Sequence, residues 1–251
     1  MKTFLKAKWD NLIMINFEVP KELLTPYVPA GTKLDLWGGK ALVSVVAFMF
    51  NKTSVIGIPA FGNRKFPEVN LRMYLKRVVD PTKLSDSSYE VRRGVAFIKE
   101  IVPKPLVSSI ANNLFKEHYE TCDMKYFAPD FLFKEHFNEE SNLAYSVIKN
   151  GEHKFSASSL GVKTPLKVGS FEEFIAEHYW GYSKMNETNT IEYEVKHPRW
   201  NIYQGAEVKF DCDFGILFGE KWAFLNELIP LNSFVAEGSE VRVSFPKFLK
   251  L

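Results

Sequence analysis

The stretch EVNLRMYLKRV, Glu68–Val78, alternates between apolar and polar side chains. A period of two is typical of a β-strand whose two faces meet different surroundings. A second stretch, RRGVAFIKEIV at Arg92–Val102, is also strand-like, with Gly94 and Pro103 near its ends. The polar segment Asp80–Glu90 between them predicts a hairpin connection, so we expect an antiparallel pair at the centre of the fold.

The polar face of the first strand admits two interpretations. In one, this face meets water, as one side of an antiparallel sheet often does. In the other, it lines a polar cavity in which Arg72 holds an anion by a bidentate contact. Glu68, Asn70 and Tyr74 lie on the same face of the predicted strand and would then flank the bound anion.

Composition indicates a globular protein with a large core. The 251 residues are 46% apolar and include 22 Phe. The 32 basic and 30 acidic residues give a net charge of +2, which provides no electrostatic footprint for nucleic acid. The two cysteines form no disulfide framework, the N-terminus lacks the apolar run of a signal peptide, and no apolar stretch is long enough to span a bilayer. We therefore expect a cytoplasmic protein with no membrane partner.

The remaining strand signals predict an α+β fold that is mostly β. Lys40–Phe50 is a nearly continuous apolar run, as in a strand buried on both faces, and Asn51–Pro67 after it is expected to be a long loop. Asn150-Gly151 is a strong hairpin signal. So many strands would leave exposed edges in a flat sheet, which favours a curved or closed antiparallel β-barrel in one domain over residues 1–251.

Two helices are expected beside this sheet. Pro103–Tyr119 carries apolar residues at helical spacing, which core packing explains without any ligand. Ser170 and Glu173 form a capping box that opens a helix expected to run to Trp180.

Two further clusters combine hydrogen-bonding and aromatic side chains. The first, EHYWGY, offers Glu177 and His178, and the second, HPRW, offers Arg199 as ligand contacts. Ordinary packing of buried Tyr and Trp also explains these clusters. The histidines are far apart in sequence and no phosphate-binding loop or nucleophile elbow is present, so neither a metal nor a cofactor is expected.

Several motifs in combination resemble the YqjF-like family over the span from Trp9 to Val243. In chain order they are Val19-Pro20 with Leu23, Val28-Pro29 with Gly31 and Leu34-Asp35, Val43–Phe48, Gly57-Ile58-Pro59, Glu68–Arg72, Arg93–Phe97, Glu177–Tyr182, His197–Trp200 and Ala236–Ser239. The resemblance implies the fold of acetoacetate decarboxylase, a cone-like antiparallel β-barrel with short peripheral helices and an internal cavity.

Acetoacetate decarboxylase forms a Schiff base through a lysine that a neighbouring lysine activates. This chain has no Lys-Lys pair, and neither Lys99 nor Lys125 matches the motif. The first expectation is therefore a cavity that binds a small, partly apolar anionic or carbonyl compound. One alternative is a lyase or hydrolase acting on a keto or lactone compound, with Glu68 or Glu100 as acid or base and Lys99 as the amine. Another is a non-catalytic structural or partner-binding protein, and a homo-oligomer is compatible with each.

Overall fold

The computed structural model describes residues 2–79, 90–128, 143–158 and 161–250, and most of them lie in strands. The strands are β1 Thr3–Val19, β2 Lys33–Leu34, β3 Ala41–Val55, β4 Ile58–Pro59, β5 Phe66–Val79, β6 Glu90–Val102, β7 Tyr119–Thr121, β8 Asp123–Phe127, β9 Leu143–Ile148, β10 Glu152–Ser158, β11 Lys163–Pro165, β12 Trp180–Lys184, β13 Asn189–Lys196, β14 Asn201–Tyr203, β15 Glu207–Asp211, β16 Asn232–Ser244 and β17 Lys247–Lys250. The α-helices are α1 Lys21–Leu24, α2 Pro105–Ile110, α3 Phe171–Ala176 and α4 Phe214–Phe218, with 3-10 segments at Thr25–Tyr27 and Glu220–Glu227 and a π-helical turn at Ala111–Phe115. Within these residues no helix has the length and apolar character needed to cross a bilayer.

Within the described residues, seven strands form a ring. Their order is β16-β1-β3-β5-β6-β12-β13, and β13 pairs in turn with β16. The predicted curved antiparallel sheet is confirmed in outline, except that β6 runs parallel to β12 within the ring and parallel to β7 beside it. A parallel pair requires a long crossover, and here the crossover from β6 to β12 includes α2, α3 and three strands, β8, β9 and β10, of a second sheet.

Register irregularities in the long strands bend this sheet. The pairing of β1 with β3 shifts near Asn11 and near Lys52, and the pairing of β5 with β6 shifts near Ile98. Asn11 and Lys52 have left-handed backbone torsions, with φ of 56° and 52°. An extra residue in one strand bends it and increases its twist, which allows these strands to curl around a hollow.

The two faces of β5 are both buried, but against different surroundings. Its apolar residues, Val69, Leu71, Met73 and Leu75, belong to a core shared with the second sheet, β15-β10-β9-β8. Its polar face encloses a cavity. The interpretation in which this face meets water is therefore wrong, and Glu68, for example, is only 2% exposed.

The hairpin and capping signals identify local structure correctly. Asn150-Gly151 connects β9 to β10, and both residues have positive φ. Ser170 Oγ accepts a hydrogen bond from the backbone N–H of Glu173 at 3.2 Å, as the capping box predicts, but the helix ends at Ala176 instead of Trp180. Of the predicted connection Asp80–Glu90, only Glu90 lies within the described residues.

Two longer predictions are wrong. The expected loop Asn51–Pro67 contains the end of β3, all of β4 and the start of β5, because the bulge at Lys52 bends the strand without ending it. The helix expected over Pro103–Tyr119 ends at Phe115, where Lys116 adopts a left-handed conformation with φ 56°. That turn releases the next residues into an extended segment that leads into β7.

Candidate functional site

The ring encloses a cavity of about 440 Å³, a volume suited to a small molecule. One part of its wall is apolar and mostly aromatic, with Trp9, Phe48, Phe50, Phe66, Phe97 and Trp200. Another part is polar, with Glu68, Asn70, Arg72, Glu100, Glu117, Tyr119 and Tyr193. The cavity therefore presents an apolar surface beside a concentrated set of ionisable groups.

Apolar side chains frame the opening of this cavity. Ile58 and Phe61 near β4, and Leu106 and Ile110 of α2, line the cavity and are nevertheless 38% to 78% exposed. The apolar stripe on α2 was predicted to pack in the core. Leu106 and Ile110 of this stripe face the cavity instead. Such a rim favours entry of a molecule with an apolar body.

Arg72 is a buried cation in the cavity wall, only 8% exposed. Its Nη2 donates a hydrogen bond to the Ile175 carbonyl at 3.2 Å, and its guanidinium lies 5.6 Å from the centre of the Tyr74 ring. Its Nε has no hydrogen-bond partner, and the guanidinium forms no salt bridge with any described residue. Buried charges are normally paired, so Arg72 has unused capacity to bind an anion.

Glu68 lies on the same face of β5 and accepts two hydrogen bonds. Asn70 Nδ2 donates to Oε1 at 2.8 Å, and the Tyr119 hydroxyl donates to Oε2 at 3.0 Å. Burial raises the pKa of Glu68 to about 7, although both hydrogen bonds and the charge of Arg72 favour the ionised form. Asn70 keeps a carbonyl oxygen, Oδ1, that accepts no hydrogen bond from the residues the structure describes.

Glu100 brings a second carboxyl group to this wall. It pairs directly opposite Asn70 in the β5–β6 ladder, is 2% exposed, and its Oε2 has no hydrogen-bond partner within the described part of the chain. Burial raises its pKa well above the ordinary value, and the negative charges of Glu117 and Glu68 raise it further. Glu100 is therefore the group in the wall best placed to hold a proton near neutral pH.

Glu117 supplies a third carboxyl group. Its Oε1 accepts hydrogen bonds from the Tyr193 and Ser183 hydroxyls, both at 2.7 Å. Burial raises its pKa to about 7 against these two bonds. Neighbouring carboxyl groups removed from water do not all ionise near neutral pH, so this wall retains protons where exposed carboxylates would have lost them.

A bulge at Ile98 decides which residues of β6 face the cavity. Before Ile98, Phe97 pairs with Arg72 and faces the cavity; after it, the register has moved by one residue. Glu100 consequently faces the cavity, whereas Lys99 faces away and forms an ion pair with Glu120. Lys99, the predicted amine, is therefore outside the site, and no lysine is among the described residues that line it. Bulges commonly re-aim side chains in this way.

Tyr74 and His178 occupy neighbouring positions with different access to the cavity. The Tyr74 hydroxyl bonds to Ser44 Oγ at 2.5 Å within a buried polar group, and Tyr74 does not line the cavity. Its ring packs on His178, with 4.8 Å between ring centres, and His178 does line the cavity. Burial lowers the pKa of His178 to about 4 despite the nearby Asp35, so its ring is neutral at pH 7.

Glu177 and Arg199 lie outside the cavity lining. Because α3 ends at Ala176, the residues after it alternate, with His178 facing inward and Glu177 facing away. Glu177 accepts a hydrogen bond from the Tyr179 hydroxyl at 2.5 Å. The Arg199 side chain is 46% exposed and forms an ion pair with Glu173 at 2.5 Å, so Arg199 belongs to the protein surface and not to the cavity.

Glu117, Tyr119 and Tyr193 were not identified from the sequence. The first two fall within the helix predicted for Pro103–Tyr119, and Tyr193 lies in an ordinary alternating strand. Their proximity arises from the pairing of β7 with β6 and of β13 with β12. No short-range pattern reports such pairing, although strand alternation alone could have marked Tyr193 as an inward-facing residue.

Gly181 provides the space that the Tyr193 ring occupies beside Glu117. A Cβ at this position would lie 2.0 Å from the ring. We expect Gly181→Ala to lower the free energy of unfolding by about 1–3 kcal/mol, the usual cost of overpacking. Urea denaturation measures the change. The same substitution should cost less in a Tyr193→Ala background, and an equal cost in both backgrounds would show that the ring is not the obstacle.

The ring-shaped sheet and its cavity define an acetoacetate-decarboxylase-like fold. The chain is similar to an acetoacetate decarboxylase-like enzyme from Sphingomonas wittichii RW1, with 13% identity and a TM-score of 0.61 over 100% of this chain and 94% of that one. It is also similar to acetoacetate decarboxylase from Legionella pneumophila subsp. pneumophila str. Philadelphia 1, with 9% identity and a TM-score of 0.62 over 99% and 88% of the two chains. The enduracididine biosynthesis enzyme MppR complexed with pyruvate shows 10% identity and a TM-score of 0.63 over 99% and 91%. At these identities the likeness concerns the fold alone.

The sequence places the chain more narrowly within this class. The DUF2071 family, described as an uncharacterized conserved protein, matches residues 6–240, and the chain belongs to that family. The uncharacterized protein YqjF of Bacillus subtilis (strain 168) is 24% identical over 217 residues, which cover 83% of this chain and 78% of that protein. The resemblance to the YqjF-like family is confirmed.

Proposed function

We propose that the cavity binds a small organic carboxylate with an apolar body and that Arg72 holds the carboxylate. The observation that carries this proposal is the buried guanidinium of Arg72 in the wall of an open cavity, with no salt bridge to any described residue. Burying a charge without a partner is costly. A bound carboxylate would supply that partner through the bidentate geometry that a guanidinium favours.

The other parts of the wall support a ligand with an apolar portion. Aromatic side chains such as Phe50 and Phe66, which stack with 4.7 Å between ring centres, offer a flat apolar surface. The exposed apolar rim, with Phe61 and Leu106, gives such a body a route inward. The pyruvate complex of MppR, a protein of the same fold, supports a 2-oxo carboxylate as one suitable probe. The open volume favours ligand binding over a purely structural protein with a filled interior.

A thermal-shift series with carboxylates of increasing chain length, with and without a 2-oxo group, tests this proposal. We expect the shift to grow with chain length and the affinity to fall about tenfold or more in Arg72→Gln, since hydrogen bonds to a charged group contribute about 1.5–3 kcal/mol. Arg64→Gln is the matched control, because Arg64 is exposed and does not line the cavity. Equal affinities in the two variants would contradict the assignment of Arg72.

A further inference from the structure

We propose that the cavity catalyses proton transfer at the carbon next to the ketone of a bound 2-oxo acid. The Glu68 carboxylate removes a proton from C3, and the Glu100 carboxyl group protonates the ketone oxygen. The inference rests on the proposed anion-binding role of Arg72 and adds a substrate class and two catalytic residues. The support extends beyond an acidic cluster, because Arg72 Nε and Glu100 Oε2 are polar atoms of deeply buried side chains in the cavity wall and have no hydrogen-bond partner among the described residues.

The order of groups along the wall matches the order of atoms in a 2-oxo acid. Arg72, Asn70 and Glu68 alternate along β5, so each is about 7 Å along the strand from the next. Glu100 pairs opposite Asn70, between the other two positions. A cation, a carboxyl group and a second carboxyl group therefore follow one another. A 2-oxo acid presents a carboxylate at C1, a ketone at C2 and acidic hydrogens at C3 in the same sequence. These atoms are much closer together than the backbone positions, so the long side chains of Arg72 and Glu68 converge on the ligand; the hydrogen bond from Asn70 to Glu68 at 2.8 Å draws the Glu68 carboxylate toward Glu100.

Their surroundings give the two carboxyl groups opposite roles. Glu68 accepts a hydrogen bond on each oxygen, from Asn70 and Tyr119, and both bonds favour the carboxylate that a general base requires. No described residue hydrogen-bonds Glu100 Oε2, and burial together with the negative charges of two other glutamates raises the pKa of Glu100 against the hydrogen bonds of Tyr119 and His118, which favours the protonated form that a general acid requires. Paired carboxyl groups with divergent environments are a recurring arrangement for acid–base catalysis.

The proposed step is balanced without a Schiff base. The C3–H bond breaks, its electron pair forms the C2=C3 double bond of the enol, and Glu68 receives the proton. The ketone oxygen takes the proton of Glu100, whose carboxylate keeps the electron pair of the broken O–H bond. Reversal restores the ketone and both protonation states. In D2O the proton held by Glu68 exchanges with solvent deuterium before the reverse step. The reverse step therefore places deuterium on C3.

Loss of the C3 proton signal of 2-oxohexanoate in D2O, followed by NMR, measures this reaction. We expect the protein to accelerate exchange by at least about 10,000-fold, with about 100-fold or more from each carboxyl group, and Glu68→Gln or Glu100→Gln to lose about 100-fold or more of the rate. Glu120→Gln and Lys99→Met are matched controls outside the cavity and should keep the rate.

Parallel thermal-shift measurements separate the two proposals. Binding of 2-oxohexanoate without accelerated exchange would overturn this inference and leave the role of Arg72 standing, whereas absence of binding would overturn both. Loss of exchange in Lys99→Met, or a borohydride-trapped lysine adduct, would assign the chemistry to a Schiff base and also overturn the inference.

Tyr119→Phe keeps the inference testable if the glutamate variants do not fold. Tyr119 is a positioning residue, and removing its hydroxyl takes one donor from the Glu68 carboxylate. The rising limb of the pH–rate profile should therefore move to higher pH, because the pKa of Glu68 rises. An unmoved limb with a measurable rate would contradict Glu68 as the base.

Discussion

Glu192→Gln is expected to lower the free energy of unfolding by about 3–5 kcal/mol, the cost of removing one partner from a buried ion pair. The Glu192 side chain has no exposed surface, and its two oxygens accept hydrogen bonds from Arg77 at 2.8 Å and Arg92 at 2.7 Å. The neutral amide would leave the largely buried guanidinium of Arg77 without an anion and Arg92 with Glu90 alone. Arg92 also lies 4.1 Å from the centre of the Trp180 ring, which lines the cavity, so this cluster supports one side of the site.

Glu194→Gln provides the matched control for this prediction. Glu194 is on the same strand, but its side chain is 21% exposed and pairs with Lys196, whose side chain is 63% exposed. Exposed ion pairs contribute about 1 kcal/mol or less. Urea denaturation of both variants gives the comparison, and a similar loss in the two would show that the buried cluster contributes no more than a surface pair.

The core face and the cavity face of β5 could be predicted because strand alternation is a local property. The period of two in Glu68–Val78 is enough to separate Leu71, which enters the core, from Arg72, which enters the cavity. The same alternation misjudged Tyr74, since a buried hydrogen bond to Ser44 takes it out of the cavity lining. Sequence patterns thus predict the direction of a side chain better than they predict its partners.

The carboxyl wall could not be predicted because it depends on interruptions of regular structure. One extra residue at Ile98 exchanges the faces of Lys99 and Glu100, and no composition signal marks that bulge. A left-handed residue at Lys116 ends the helix early and leaves Glu117 free to enter the cavity. The bulge lies in the pairing of β5 with β6, which depends on residues far apart in the chain and not on local propensity alone.

Glu117→Gln is expected to stabilise the protein at alkaline pH, a direction that few buried substitutions take. Both hydrogen bonds to Glu117, from Tyr193 and Ser183, end on Oε1. A glutamine carbonyl at that position can accept both, so the substitution removes the charge and preserves the bonds. The variant then resembles the protonated wild-type side chain at every pH.

The pH dependence follows from the raised pKa of Glu117. Burial raises this pKa from 4.5 to about 7 in the folded protein. The folded state therefore binds a proton more tightly than the unfolded state does, and the stability associated with that proton is fully present below pH 4.5. This stability is lost as the pH rises from 4.5 through 7, and the loss amounts to about 3 kcal/mol in total. Glu117→Gln has no ionisable group at this position, so its unfolding free energy does not fall with pH for this reason.

Comparing wild type with Glu117→Gln at each pH isolates this effect from other titrating groups, such as His178, whose lowered pKa gives a dependence of the opposite sign. We expect similar unfolding free energies at pH 4.5 and a variant about 3 kcal/mol more stable at pH 8.5, measured by urea denaturation.

Glu120→Gln is the opposite-sign control: burial opposes ionisation of Glu120, but hydrogen bonds from Lys149 and Lys99 outweigh it and lower the pKa. That variant should lose stability above pH 4.5. A constant difference between wild type and Glu117→Gln across the range would mean that the pKa of Glu117 is not raised by folding.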